Sequence, residues 1–161
     1  MLEEQSPGII MLCNFYEDGL QKCDEFWPLD NSAFKYYGKM FINNKKVEHQ
    51  DQYNIYTLEV LPDGCSNSLI TRLAHCTVWP DKGVPPSGRM VLRLLKWMQT
   101  LEVGGLFFSV LPIIVFQKPG IAFQTGPVTV LCSAGVGRSG TLIAIESVCT
   151  KLFKGQEAKV C

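Results

Sequence analysis

Residues 128–140 read VTVLCSAGVGRSG, and they carry the clearest structural signal in the chain. Residues 128–131 are apolar and rich in β-branched side chains, which is typical of a short buried strand. The glycine-containing segment that follows runs directly into a helical pattern, whose inner face is predicted at Leu142, Ile145, Cys149 and Leu152. The sequence therefore predicts a strand, a tight loop and a helix in succession.

The loop between this strand and this helix has the features of an oxyanion site. Glycines allow its backbone N–H groups to turn inward, and the N-terminus of the next helix adds positive potential. We expect a tetrahedral phosphate to be bound there by the backbone of Ser133, Ala134, Gly135, Val136 and Gly137.

Three side chains of the loop are candidates for catalysis. Arg138 follows Cys132 by six positions, and its planar fork can bind two phosphoryl oxygens. The same donors favour a thiolate, so Cys132 is the predicted nucleophile, with a pKa below the free value of about 8.5. Ser139 is placed to donate to the sulfur and help it leave a covalent intermediate. A glycine pair alone would also fit a nucleotide-binding loop or a simple turn.

The rest of the chain alternates between strand-like and helix-like segments, which indicates an α/β or α+β fold. Residues 9–12 read as a buried strand, and residues 55–60 and 69–78 as an antiparallel hairpin. Ser87 can cap a helix that reaches residue 100 and has an apolar face formed by Val91, Leu94, Leu95 and Met98. We predict a twisted mixed β-sheet flanked by helices, with the phosphate-binding loop between a strand and a helix.

The composition predicts one globular domain over residues 1–161, because 47% of the residues are apolar. Fifteen basic and fifteen acidic side chains cancel, which gives no indication of a nucleic-acid or membrane-surface partner. Seven cysteines form no CxxC pair, a poor basis for a zinc site or a disulfide framework. Residues 104–116 are apolar but shorter than the ~20 residues of a membrane span. Without a visible signal peptide, a cytoplasmic location is expected.

Residues 132–140, CSAGVGRSG, resemble the signature of the cysteine-dependent protein-tyrosine phosphatases of the classical, tyrosine-specific type. Residues 79–85, WPDKGVP, resemble the acid loop of that family. Residues 11–28, MLCNFYEDGLQKCDEFWP, resemble its segment with a glutamate and a lysine on either side of a glycine. The three motifs occur in the family's order, and the resemblance extends over residues 9–153.

The resemblance implies a hydrolase that removes phosphate from phosphotyrosine in signalling proteins and requires no metal or organic cofactor. Asp81 would protonate the leaving oxygen, which would otherwise depart as phenolate, and would later activate water. Trp79 would support the acid loop, Glu17 would brace Arg138, and Lys22 would contact the loop near Asp81.

The two histidines are not expected to be catalytic: His75 is predicted to be a strand residue that bears on the acid loop, and His49 to be exposed.

Leu131 stands where the family usually has histidine; because leucine cannot hydrogen-bond, we expect a higher Cys132 pKa than in the family. The chain also begins after the family's N-terminal helices and ends before its glutamine-bearing loop, so the domain is expected to be incomplete. Residues 103–124 form an apolar insert, for which translated non-coding sequence is one hypothesis; the transcript would test it.

Three functions remain open from the sequence. The first is hydrolysis of phosphotyrosine in proteins through a phosphocysteine intermediate. The second is a relative that binds phosphotyrosine or a protein partner without turnover, which Leu131 and the absent C-terminal loop favour. The third is a small arsenate- or sulfur-handling enzyme with a similar loop, which would lack segments like 79–85 and 17–28. Neither the substrate protein nor the oligomeric state follows from the sequence.

Overall fold

The structure, a computed structural model, describes residues 5–101, 114–116 and 127–153. Nine strands and two helices occur in these ranges. In chain order they are β1 (Gly8–Met11), β2 (Tyr16–Glu17), β3 (Leu20–Gln21), β4 (Phe34–Tyr37), β5 (Met40–His49), β6 (Tyr53–Pro62), β7 (Leu69–Cys76), α1 (Gly88–Thr100), β8 (Ile114–Phe116), β9 (Val128–Leu131) and α2 (Arg138–Phe153).

Seven of the strands form one mixed sheet in the order β4-β5-β6-β7-β1-β9-β8, and β2 and β3 pair separately. β1 is parallel to both β7 and β9, whereas the other neighbouring strands are antiparallel. The predicted mixed sheet with helices is confirmed. Of the apolar insert at residues 103–124, only β8 lies within the described residues; the remainder lies outside them.

The predicted hairpin is confirmed, and its first strand is longer than expected. β6 pairs antiparallel with β7 from Tyr53 opposite Cys76 to Val60 opposite Leu69. The chain turns after β6 at Gly64, whose φ of 73° lies in the left-handed region that glycine adopts without steric cost.

Helix α1 begins and packs as its sequence predicts. The Ser87 hydroxyl accepts a hydrogen bond from the backbone N–H of Met90 at 3.2 Å, which satisfies a donor that the helix itself leaves open. The predicted apolar face is buried and is extended by two further side chains; its members are Met90, Val91, Leu94, Leu95, Trp97 and Met98.

Helix α2 follows the phosphate loop as predicted, but its inner face is shorter than the pattern suggests. Leu142 is buried, and Ile145 and Cys149 are half-buried. Leu152 is 61% exposed, so its assignment to the inner face was wrong. The buried positions of α2 lie in its N-terminal turns, and the described part of the chain leaves its last turn uncovered.

Side chains of β1 and of Leu12, the residue after it, alternate between two apolar clusters on opposite faces of the sheet, as the period of a strand requires. Ile10 and Leu12 join the cluster that packs against α1 and α2. Ile9 and Met11 join the cluster on the other face, where Trp27 is fully buried. β1 is therefore covered on both faces, which fixes the loops that follow it and its two parallel neighbours.

Candidate active site

Three segments that are distant in sequence meet at one edge of the sheet. The parallel neighbours β7, β1 and β9 all end there, and the carboxyl ends of parallel strands are the usual location of a binding site in such sheets. β7 leads to the acid loop at residues 79–85, β1 to the β2–β3 hairpin with Glu17, and β9 directly to Cys132.

Arg138 is buried at the start of α2, and its guanidinium group forms two hydrogen bonds with the Glu17 carboxylate. Nη1 donates to Glu17 Oε1 at 2.6 Å and Nη2 donates to Glu17 Oε2 at 2.8 Å. Burial raises the pKa of Glu17, but the bonds from Arg138 and from the backbone N–H of Asn14 outweigh it and lower the pKa overall. Glu17 is thus ionised at neutral pH and sets the plane of the guanidinium group.

The two hydrogen bonds to Glu17 determine which edge of the Arg138 guanidinium can bind an anion. The edge formed by Nη1 and Nη2 is occupied by Glu17, and Nη1 also donates to the carbonyl oxygen of Trp79 at 2.9 Å. Arg138 Nε is buried and has no hydrogen-bond partner within residues 5–101, 114–116 and 127–153. A phosphoryl group would therefore meet the edge formed by Nε and Nη2.

The Cys132 thiol is half-buried between β9 and the helix start. Its burial opposes ionisation, but the Ser139 hydroxyl, the backbone N–H groups of Ser139 and Gly135, and the charge of Arg138 together hold the pKa of Cys132 below its ordinary value. Ser139 Oγ is buried and forms no hydrogen bond of standard geometry among the described residues.

The loop itself presents unused backbone donors. Gly135 has a φ of 74°, a left-handed conformation that turns the chain so that its N–H faces the Cys132 sulfur. Within the part of the chain that the structure describes, no backbone oxygen accepts from the N–H groups of Ser133, Ala134, Val136 or Gly137. These amides are available to an anion at the N-terminus of α2.

Asp81 lies between two cations. Lys22 Nζ donates to Asp81 Oδ2 at 2.9 Å, and Arg138 Nη2 lies 3.6 Å from Asp81 Oδ1. The hydrogen bond from Lys22 is the main cause that lowers the pKa of Asp81, and the charges of Lys22 and Arg138 add to it. The acid loop therefore rests against the phosphate loop, with its carboxyl group ionised before any ligand binds.

A family model described as "Protein-tyrosine phosphatase" matches residues 1–161. This chain belongs to the protein-tyrosine phosphatase family. Human receptor-type tyrosine-protein phosphatase epsilon is 32% identical over 161 residues, which are 98% of this chain and 20% of that protein. Human receptor-type tyrosine-protein phosphatase H is 33% identical over 93% of this chain and 12% of its own length. The chain thus spans a fifth or less of these relatives.

The receptor-type tyrosine-protein phosphatase zeta of Rattus norvegicus is similarly related, at 31% identity over 91% of this chain and 6% of that protein. No helix in residues 5–101 and 127–153 has both the length and the apolar character needed to cross a membrane.

The structure brings together the site residues that the resemblance to this phosphatase family indicated. Trp79 is buried, its indole Nε1 donates to the Gly83 carbonyl at 3.1 Å, and its own carbonyl accepts from Arg138. Leu131 packs with the apolar cluster around Trp27 and has no polar atom in its side chain to offer Cys132. His49 is exposed, as predicted.

Two further residues lie near this candidate site. Asn14 links the other parts: its backbone N–H donates to Glu17 Oε1 at 3.0 Å and its side-chain Nδ2 donates to the Thr77 carbonyl at 3.0 Å. An asparagine just after a strand was the available signal. His75 lies in β7, as predicted; it is buried, and its Nε2 bonds the Cys13 carbonyl oxygen at 2.9 Å.

Proposed function

We propose that this chain carries a site that hydrolyses phosphotyrosine in proteins through a phosphocysteine intermediate. The observation that carries the proposal is the buried Nε of Arg138, which has no hydrogen-bond partner among the residues that the structure describes, beside a cysteine of lowered pKa. A buried guanidinium N–H without an acceptor has a large desolvation cost, and a phosphoryl oxygen would remove that cost. Membership in the protein-tyrosine phosphatase family and the names of the relatives support the same substrate class.

In the first step, the Cys132 thiolate attacks phosphorus, the S–P bond forms, and the bond from phosphorus to the tyrosine oxygen breaks. Arg138 and the loop amides stabilise the charge on the equatorial oxygens. The proton that the departing oxygen needs comes from Asp81. Tyrosine leaves as a neutral phenol, and the phosphoryl group stays on sulfur.

In the second step, Asp81 as carboxylate takes a proton from water, and the water oxygen attacks the phosphocysteine. The P–O bond forms while the S–P bond breaks, and inorganic phosphate leaves. The Cys132 thiolate is restored, with Ser139 placed to stabilise the negative sulfur.

The ionised state of Asp81 is consistent with this cycle once the substrate charge is included. Lys22 and Arg138 lower the pKa of Asp81 in the free protein. A phosphate dianion between the loop and Arg138 offsets the charge of Arg138 and repels the carboxylate, and both effects raise the pKa of Asp81. Substrate binding thus favours the protonated form that the first step requires.

A relative that binds phosphotyrosine without turnover is the second candidate. Leu131 supports it, because this side chain packs in an apolar cluster and contributes no hydrogen bond to the loop. The low pKa of Asp81 supports it too, since an acid that stays ionised when the ligand is bound would not protonate the leaving group.

The test is hydrolysis of a phosphotyrosine peptide by the folded chain and by Cys132→Ser and Asp81→Ala, with folding checked by circular dichroism. Cys65→Ser and Asp63→Ala are matched controls, because both side chains are exposed in a separate groove. Phosphate release that is abolished by Cys132→Ser, depressed by Asp81→Ala and retained in both controls supports the enzyme. Binding of the peptide by a folded wild-type chain without phosphate release supports the second candidate.

A further inference from the structure

Lys82 follows the candidate acid Asp81 directly and has an unusual backbone conformation. Its φ is 53°, in the left-handed region that few residues with a side chain adopt. Its backbone N–H donates to Asp81 Oδ1 at 3.1 Å. This conformation separates the two side chains: the Asp81 carboxyl group contacts Lys22 and Arg138, whereas the Lys82 side chain is exposed.

The backbone before and after Lys82 is anchored by hydrogen bonds. Trp79 is anchored through its carbonyl to Arg138 and through its indole to the Gly83 carbonyl. A Cβ on Gly83 would lie 2.8 Å from Pro80 Cγ, so the turn is closely packed. The position of the Lys82 Cα is therefore fixed relative to the site, and only its flexible four-carbon side chain can move.

The charge of Lys82 is not neutralised by its surroundings. Within the residues that the structure describes, no carboxylate lies within 4.0 Å of its ammonium group. The other charged groups of the site are paired: Glu17 with Arg138, and Asp81 with Lys22. Lys82 thus carries a positive charge that no described carboxylate pairs, one residue after Asp81 in the acid loop. A peptide whose phosphotyrosine reaches Asp81 would bring its flanking residues near this charge.

We infer that Lys82 is a specificity-determining residue that favours phosphotyrosine flanked by aspartate or glutamate. The inference rests on the proposed function for its substrate. An exposed lysine and a carboxylate attract each other weakly, which corresponds to a preference of about two- to five-fold in kcat/KM. The preference acts on binding and appears in KM, and it weakens as salt screens the pair.

The experiment compares two peptides of equal length, in which the residues flanking phosphotyrosine are aspartate or asparagine. The measured quantity is the ratio of their kcat/KM values at low and at high salt, for wild type, Lys82→Met and Lys82→Glu. Lys39→Met is the matched control, because Lys39 is exposed and lies in the separate groove lined by Tyr36 and Pro62.

We expect the wild-type ratio to exceed one at low salt, to fall towards one in Lys82→Met and below one in Lys82→Glu, and to stay unchanged in Lys39→Met. An equal ratio in wild type and Lys82→Glu overturns the inference. Binding of both peptides to Cys132→Ser is measured by calorimetry in parallel. If neither peptide is hydrolysed but the binding ratio depends on Lys82, the proposed hydrolysis fails and the inference stands. If neither peptide binds, the inference fails as well.

Discussion

Glu17 and Arg138 are 121 positions apart in sequence and share two hydrogen bonds, at 2.6 and 2.8 Å. Both side chains are almost completely buried, with relative exposures of 8% and 4%. Removing one partner of a buried ion pair leaves the other charge uncompensated, which costs more than the pair contributes. This contact therefore controls both the stability of the site and the orientation of the guanidinium group.

Glu17→Gln is expected to lower the free energy of unfolding by about 3 kcal/mol at neutral pH, because the buried Arg138 charge loses its counterion. It is also expected to lower kcat/KM on the order of 10²-fold through misorientation of Arg138. Chemical denaturation and peptide hydrolysis measure the two effects. Glu25→Gln is the control, because it removes a carboxylate from an exposed ion pair, in which Glu25 Oε1 lies 3.8 Å from Lys35 Nζ.

Glu17→Gln is also expected to change how the stability of the protein depends on pH. The pKa of Glu17 is lowered in the folded protein, so its contribution to stability is present above the unfolded pKa and is lost as pH falls through the folded pKa. We expect wild type to lose more stability than Glu17→Gln on acidification through this window. Parallel stability curves for the two proteins would contradict the ion pair as described.

Lys22→Met is expected to move the alkaline limb of the kcat/KM profile to higher pH. The hydrogen bond from Lys22 is the main cause that lowers the pKa of Asp81, and Asp81 must be protonated to act as an acid. Without Lys22, Asp81 keeps its proton to higher pH. The profile of Lys39→Met should match that of wild type, and an alkaline limb that does not move in Lys22→Met would show that Asp81 is not the group titrating there.

Ser139→Ala is expected to slow alkylation of Cys132 by iodoacetamide at pH 6 and to shift the midpoint of its pH dependence upward. The Ser139 hydroxyl is one of the groups that hold the pKa of Cys132 below its ordinary value. Burial raises the pKa of Cys13 to about 12, so that thiol should stay unmodified. Mass spectrometry of the modified peptide measures the rate, and Ser133→Ala, with an exposed side chain in the same loop, is the control.

Ser87→Ala is expected to lower the free energy of unfolding by about 1 kcal/mol, because the N–H of Met90 loses its acceptor at the start of α1. Denaturant titration followed by circular dichroism measures the change. Ser66→Ala in the exposed loop after β6 should leave the stability within error of wild type. Equal stability of Ser87→Ala and wild type would mean that water replaces the cap without loss.

The phosphate loop and α1 could be predicted because their signals are local. Cys132 and Arg138 stand in one short loop whose glycines and following helix restrict the geometry, and Ser87 is adjacent to the helix that it caps. The contact between Glu17 and Arg138 came from the family resemblance instead, since no local pattern joins residues so far apart.

Other features could not be predicted because they depend on the path of the whole chain. The Trp79 carbonyl accepts from Arg138, but a backbone oxygen has no sequence signature. Glu17 occupies the edge of the Arg138 guanidinium formed by Nη1 and Nη2, and this could not be predicted without knowing where the carboxylate lies. Leu152 matches the helical period and is nevertheless exposed, because periodicity does not tell where the packing partner of a helix ends.

The interior position of β1 in the sheet has a consequence for the order in which this protein can fold on the ribosome. β1 pairs with β7 once residue 76 has been synthesised, but its other edge waits for β9, about 120 residues after β1. Until then, a nascent chain exposes an unpaired strand edge with Ile9, Ile10 and Met11, which are fully buried in the finished protein. The site and the protection of that edge arise together, when residues 128–138 leave the exit tunnel.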